Sequence, residues 1–280
     1  MAFHWMKGRL MAGRTSNPGA SVASRLLAVL GAFDADHRSL TLSEIGRRAD
    51  IPLPTTHRLV AELTDWGALV RRSSGEYVVG RRIWELGLLA PLQTGLREIA
   101  SPFLHDIYAA TLATVHLAVR DGSEVLYLDR LAGSQSVPIV STVGSRLPMH
   151  CTGVGKVLLT YAPEVVRAEV LENLTRVTPY TVTQPGRLVA ELRRVERDGY
   201  ATTTEEMSLG ACSVAVPVRV GDGRVVAAVG IVVPSLKRDR VKLVASLTVA
   251  AYGIGRSLGA LHALDRNLDP WVAVTVRRAN

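Results

Sequence analysis

A chain of 280 residues with 48% hydrophobic content can bury a sizeable core and, on length alone, suggests two domains. Its 33 Lys and Arg against 25 Asp and Glu leave a net +8, concentrated at one end: residues 1–82 hold 12 basic and 7 acidic side chains, the remainder 21 and 18. That density suits a phosphate-bearing partner, with a solvated basic face as the bland alternative, while two cysteines without CxxC or Cys/His spacing argue against a structural zinc site and for a reduced, cytoplasmic setting.

In chain order, residues 1–20 lack periodicity and read as a flexible tail. "SVASRLLAVLGAF" then sets Val22, Leu26, Val29, Leu30 and Phe33 on one helical stripe. "TLSEIGRRAD" begins with Thr41 and Glu44 in capping-box spacing. After the Pro52–Pro54 turn a third helix opens with Thr55, Thr56, His57 and Arg58 and takes its apolar side from Leu59 and Leu63. Pro54 suits its first position, where a missing N–H costs nothing. "LVRRSSGEYVVG" predicts a hairpin turning at Ser73-Ser74-Gly75.

Three short helices and a hairpin within about 60 residues follow the order of a winged helix-turn-helix. In that arrangement Thr55, Thr56, His57 and Arg58 occupy the first turn of the recognition helix and face DNA, and Arg71 and Arg72 sit on the wing. A solvated helix start with an incidental Arg is the competing reading. The stretch "RRIWELGLLAPLQTGLREIASPFLHDIY" is helical, with Pro91 and Gly95 predicted to interrupt it. It reads as a linker helix that also packs on a second subunit, or as a core helix of the next domain.

The second half alternates. "VHLAVRDGSEVLYLDRL" and "VAVPVRVGDGRVVAAVGIVV" are each two strands around an Asp-Gly turn, and "GKVLLTYAPEVVRAEVLENL" and "GRLVAELRRVERDG" are helical. The pattern predicts an α+β domain with an antiparallel sheet. The apolar runs "VVAAVGIVVPSL" and "LVASLTVAAYGIG" fall short of the roughly 18–20 residues a bilayer requires. "MAFHWMKGRLMAGR" lacks the apolar core of a secretory signal. Neither a membrane nor a metal or other cofactor is expected as a partner.

The chemical motifs fail on spacing. "HCTGVGKVLL" has His150 where a P-loop needs its first Gly and Val157 where it needs Ser or Thr. There is no GxSxG elbow, since "GIGRSLG" does not join a strand to a helix, and no HExxH; His105, His116 and His150 are scattered and read as structural. An enzyme is therefore not expected. One feature survives: Thr-Gly-Val-Gly leading into an apolar helix leaves free N–H groups for a carboxylate or other acceptor. Its plain alternative is a helix capped by Thr152 with Lys156 in solvent.

The segments "LTLSEIGRRADIPLPTTHRLVAEL", "GEYVVGRRIWELG", "LPMHCTGVGKVLL", "GYATTTEEMSLGACSVAVPV" and "VVAAVGIVVP" together resemble the IclR family of bacterial transcriptional regulators over residues 21–262. The resemblance implies a winged helix-turn-helix DNA-binding domain at 21–80 and a linker helix at 81–97. It further implies a GAF-like effector-binding domain at 98–262 and leaves a C-terminal tail at 263–280. It also implies a homodimer or homotetramer, a palindromic double-stranded operator and, more often than activation, repression. The ligand site it implies comprises Met149, Gly153, Val154, Thr203, Ser213, Gly230 and Val232. Departures matter: Leu53-Pro54 replaces the usual Lys-Ser, Ser213 stands in the usual Cys place, Thr203 replaces a common Asp, and Gly230 and Val232 replace two serines. A site thinned of polar side chains predicts a small organic effector with an acceptor at one end and an apolar aromatic or aliphatic body. An enzyme acting on a small molecule and a protein-binding adaptor remain the alternatives from other classes.

Overall fold

Ser21 opens the first element by accepting the Ser24 N–H on its hydroxyl at 3.1 Å, and helix α1 (Val22–Leu30) follows. The computed structural model describes residues 21–264 other than 35, 90, 134–136 and 138, so the expected tail at 1–20 and nearly all of that at 263–280 lie outside the described residues. The short strand β1 (Ser39–Leu40) leads into α2 (Leu42–Ala49), where Thr41 and Glu44 form the expected capping box. Each satisfies a backbone N–H of the other that the helix leaves unpaired. Asp50, at φ 56°, turns the chain toward α3 (Leu53–Asp65), with Pro52 as its N-cap. Pro54 is therefore the second helical residue, one place later than the sequence suggested.

Strands β2 (Leu69–Arg71) and β3 (Tyr77–Val79) form the hairpin, and β1 pairs on the far side of β3, giving the order β1-β3-β2. Val29, Leu40, Ile45, Leu59, Leu69 and Tyr77 make the core of this unit. Helix α4 (Arg81–Leu88) stops before Pro91, which disfavours helical geometry in the residue preceding it. Helix α5 (Pro91–Thr111) then runs through Gly95 and Pro102 without a break. The two structural units divide between Ala90 and Pro91, within the linker helix expected at 81–97.

The second unit contains, in order, β4 (Thr114–Asp121), β5 (Glu124–Leu131), β6 (Arg146–Pro148), α6 (Gly153–Thr160), α7 (Glu164–Glu172), α8 (Pro185–Asp198), β7 (Ala201–Thr204), β8 (Cys212–Arg219), β9 (Val225–Val233) and α9 (Arg240–Leu264). Its described strands form an antiparallel sheet in the order β6-β5-β4-β9-β8-β7. Both expected Asp-Gly hairpins are present, with Gly122 at φ 62° and Gly223 at φ 83° supplying the turn geometry.

Strand alternation divides large from small residues. Val115, Leu117, Val214, Val216, Val229 and Ile231 face α5 and α9. Ala118, Ala215 and Ala228 face the cluster built on α6, α7 and α8. Larger aliphatic side chains thus fill one face of the sheet, and small ones leave space on the other. The apolar run in α9 is longer than the sequence suggested: Arg240–Ala260 is long and apolar enough to cross a membrane by length and composition. Here Leu243, Leu247, Ala250, Ile254 and Leu258 are spent on the sheet core.

Candidate functional site

In the first unit, α3 presents Pro54, His57, Arg58, Ala61, Glu62 and Asp65 as exposed residues along one side. Arg58 and His57 are near its positive N-terminal end, and Glu62 and Asp65 lie a turn or more beyond. Thr55 is half-buried. Thr56, expected to face DNA with its neighbours, is fully buried at 0% exposure, and this corrects the reading. Its hydroxyl donates to Ile51 O and Pro52 O, both at 3.2 Å, and packs against Gly46 so closely that a Cβ there would lie 3.0 Å from Thr56 Oγ1. Thr56 locks the turn between α2 and α3 and has nothing left for a ligand.

On the hairpin, Arg71 and Arg72 are both exposed, and among the described residues neither is in an ion pair. The Arg71 guanidinium lies over the Tyr77 ring, 5.8 Å from its centroid, which preorients it on the wing. Arg48, by contrast, is engaged: it donates to Ala32 O at 2.6 Å and to Asp34 at 2.5 Å, tying α2 to the end of α1. Among the described residues, exposed cations outside any ion pair thus stand on the α3 face and the wing, the two elements that meet duplex DNA in a winged helix-turn-helix, with Arg47 on α2 as a further one.

The second unit has a cavity between α6 and the small-residue face of the sheet. It admits the centre of a water-sized sphere over about 50 Å³, several times the roughly 10–15 Å³ that one water needs. Gly153, Val154, Thr203, Ser213, Gly230 and Val232 all line it. Met149 does not. Its carbonyl passes under Gly155, and its side chain, 0% exposed, belongs to the core behind α6.

Two glycines make the close approach possible. A Cβ on Gly153 would stand 2.6 Å from Ser213 Oγ, and one on Gly230 would stand 2.9 Å from Val154 Cγ1. Thr152 caps α6 by accepting the Gly155 N–H at 3.2 Å. The Gly153 and Val154 N–H groups precede the first intrahelical bond and are directed to the cavity end of the helix dipole. Thr203 and Ser213 pair their hydroxyls at 2.6 Å.

Residues outside the expected set complete the lining. His116, read from sequence as structural, is buried and meets Ser141 Oγ through Nε2 at 2.9 Å. Its ring stands edge-on to Tyr127, with centroids 5.0 Å apart. Burial, aided by the Arg130 charge, pushes the His116 pKa down to about 3, so the imidazole is neutral. Burial likewise drives the Tyr127 hydroxyl well above its usual range and the Cys151 thiol up to about 12. No Asp, Glu, Lys or Arg lines the cavity among the described residues. The available signal for His116 was strand period: in the β4–β9 register it pairs with Gly230, placing both on one face. Lys156, pictured in solvent as the plain alternative, is 1% exposed and ion-paired. No group of three or more His, Cys, Asp or Glu among the described residues could hold a metal.

Comparison with known proteins agrees with this division. Residues 22–73 match the IclR helix-turn-helix domain, and residues 91–256 match the bacterial transcriptional regulator IclR C-terminal domain. The HTH-type transcriptional regulator XynR of Escherichia coli K12 is 29% identical over 84% of this chain and 96% of its own length. The HTH-type transcriptional repressor AllR of Salmonella typhi is 30% identical over 81% of this chain and 85% of its own. Among solved structures, an IclR homolog from Microbacterium hydrocarbonoxydans complexed with 4-hydroxybenzoate is 37% identical, with a TM-score of 0.82, covering 86% of this chain and all of that one. The Thermotoga maritima IclR is 30% identical at a TM-score of 0.71, covering 85% and 98%.

Proposed function

The chain belongs to the IclR family of bacterial transcriptional regulators, and from that premise we propose that it is a repressor whose operator binding is controlled by a one-ring aromatic acid held in the α6 cavity. A dimer or tetramer binds a palindromic duplex through His57, Arg58 and Thr55 on α3 and through Arg71 and Arg72 on the wing. Arg58 reads a base edge, and the wing arginines hold phosphates. No catalytic step is assigned to any residue.

The observation that carries the effector reading is the cavity's neutral polar lining. A carboxylate finds the N–H groups of Gly153 and Val154 at the helix N-terminus, with the Thr203–Ser213 hydroxyl pair beside them. The His116–Ser141 pair is on the far side: β4 and β8 are two strand spacings apart, roughly 9–10 Å. Val154, Ala215 and the bare backbone of Gly230 lie between. A ring with polar groups at opposite ends matches that layout, and the relative crystallised with 4-hydroxybenzoate supports the same class.

Titration calorimetry of the full chain against 4-hydroxybenzoate, benzoate and two- and three-carbon oxo-acids tests the class. Tight binding of the hydroxybenzoate and weaker binding of benzoate are expected, together with a change in operator affinity on saturation. Binding of the short oxo-acids alone would overturn the aromatic assignment. A ligand that bound without altering operator affinity would remove the regulatory part, because it would not distinguish the two states.

A further inference from the structure

Lys156 is 1% exposed, one turn along α6 from Gly153, and lines no part of the cavity. Its ammonium donates to Glu206 Oε1 at 2.7 Å, to Glu206 Oε2 at 2.8 Å and to Glu191 Oε2 at 2.6 Å. Glu191, on α8, also faces Arg187 at 3.6 Å. Taking an ammonium and a carboxylate out of water carries a heavy desolvation cost, and an apolar side chain of similar length would fill the same space. The reason for the pair must lie in what it holds.

Glu206 belongs to the 205–211 loop between β7 and β8, and that loop is built to one shape. Glu205 sits at φ 55°, a conformation uncommon outside glycine. Its N–H reaches Ala211 O at 2.9 Å, and its carboxylate accepts the Gly210 N–H at 2.6 Å. The Thr178 and Thr181 hydroxyls donate to the Glu205 and Glu206 carbonyls at 2.7 and 2.8 Å. The Val182 backbone bonds the Glu206 carboxylate, and burial raises that carboxyl's pKa against the opposing pull of Lys156. Met207, Ser208 and Ala211 of this loop line the cavity. One ammonium therefore joins the helix whose first turn forms part of the cavity wall to the loop that forms another part.

We infer that Lys156 is a positioning residue of the effector site: by clamping Glu206 to α6 it fixes Met207 and Ser208 against the bound molecule without touching it. The inference rests on the reading of this cavity as an effector site. Side chains that hold a binding wall in register act on affinity through geometry, which is lost when the supporting shell loosens.

The test uses the full chain with Lys156→Met and Glu206→Gln combined, so that no unpaired charge is left buried. Glu191 is partly exposed and keeps Arg187. Lys156→Met alone, which strands Glu206, serves as the harsher comparison. Two quantities are read: the Kd for 4-hydroxybenzoate by calorimetry, and amide hydrogen exchange across the apo protein. The expected result is a Kd weaker by about tenfold, with exchange accelerated in 205–211 while β8 and β9 stay as protected as in the wild type. A uniform rise in exchange, with a drop in melting temperature and an unchanged Kd, is the signature of a merely structural pair and overturns the inference. So does unchanged exchange in 205–211. If the wild type binds no aromatic acid, the effector reading fails by itself, and the exchange data still decide whether Lys156 holds this loop.

Discussion

Gly153 and Ser213 approach so closely that the smallest side chain does not fit between them: an added Cβ would lie 2.6 Å from Ser213 Oγ and 3.5 Å from the Ala215 Cβ. Ser213 cannot yield freely, because its hydroxyl is already paired with Thr203 at 2.6 Å. Gly153→Ala should therefore push Ser213 out of that pair and into the cavity. Overpacking of this kind costs about 1–3 kcal/mol, and effector affinity should fall with it. Combining Gly153→Ala with Ser213→Ala removes the obstructing oxygen, so a double-mutant cycle in Kd and stability should show a favourable coupling. Strict additivity would mean that the two residues do not contend for the same space.

Arg58 and Arg71 should differ in kind when removed. Arg58→Ala takes away a side chain from the exposed N-terminal face of α3. Losing a base contact should cost about 1–3 kcal/mol at one operator position and relax preference there. Arg71→Ala, on the wing, should weaken binding to all sequences alike and reduce the salt slope by about one unit. Binding-site selection from a random duplex pool, followed by salt titration, separates the two. A changed consensus in Arg71→Ala would mean that the wing reads bases.

Thr56 provides the contrasting case. Its buried hydroxyl serves Ile51 O and Pro52 O, and Thr56→Val keeps the volume but removes that donor from Ile51 O, while Pro52 O keeps the Thr55 and Thr56 N–H groups. The expected loss is about 1–2 kcal/mol of stability in the first unit. Operator affinity of the folded fraction should remain that of wild type. A reduced affinity at full folding would restore Thr56 to the DNA-contact set.

What the sequence made legible follows from which forces act locally. The capping box at Thr41–Glu44 and the Asp-Gly hairpins are set by residues a few positions apart, and each stands where the pattern put it. Six of the seven expected ligand-site residues line one cavity because strand pairing brings Thr203, Ser213, Gly230 and Val232 together and α6 packs its first turn against them. Thr56 was misread because helical spacing cannot tell whether a polar side chain in a first turn faces solvent or the preceding turn. Lys156 was pictured in solvent for a related reason: its partners Glu191 and Glu206 are 35 and 50 residues away. His116 was set aside as scattered, although alternation along β4 could have put it on the small-residue face.

The neutrality of His116 has a measurable signature in pH. An exposed histidine in the unfolded chain takes up its proton near 6.5, whereas in the fold the His116 pKa is about 3. Between those values the unfolded chain binds a proton that the folded one refuses. Stability should therefore be full above about pH 6.5 and decline as the solution is acidified, with a slope of about 1.4 kcal/mol per pH unit for one proton. His150, also lowered chiefly by burial, adds in the same direction. His116→Gln keeps a polar partner for Ser141 and removes the titration. Between pH 7.5 and pH 5, denaturant unfolding of the wild type should lose about 2 kcal/mol more than the variant. Equal losses would mean that the His116 imidazole takes up its proton in the fold as readily as in the unfolded chain, so that it is charged in the cavity only below about pH 6.5. Burial would then not be what holds this imidazole neutral, and the lining at that end of the cavity would change its charge with pH.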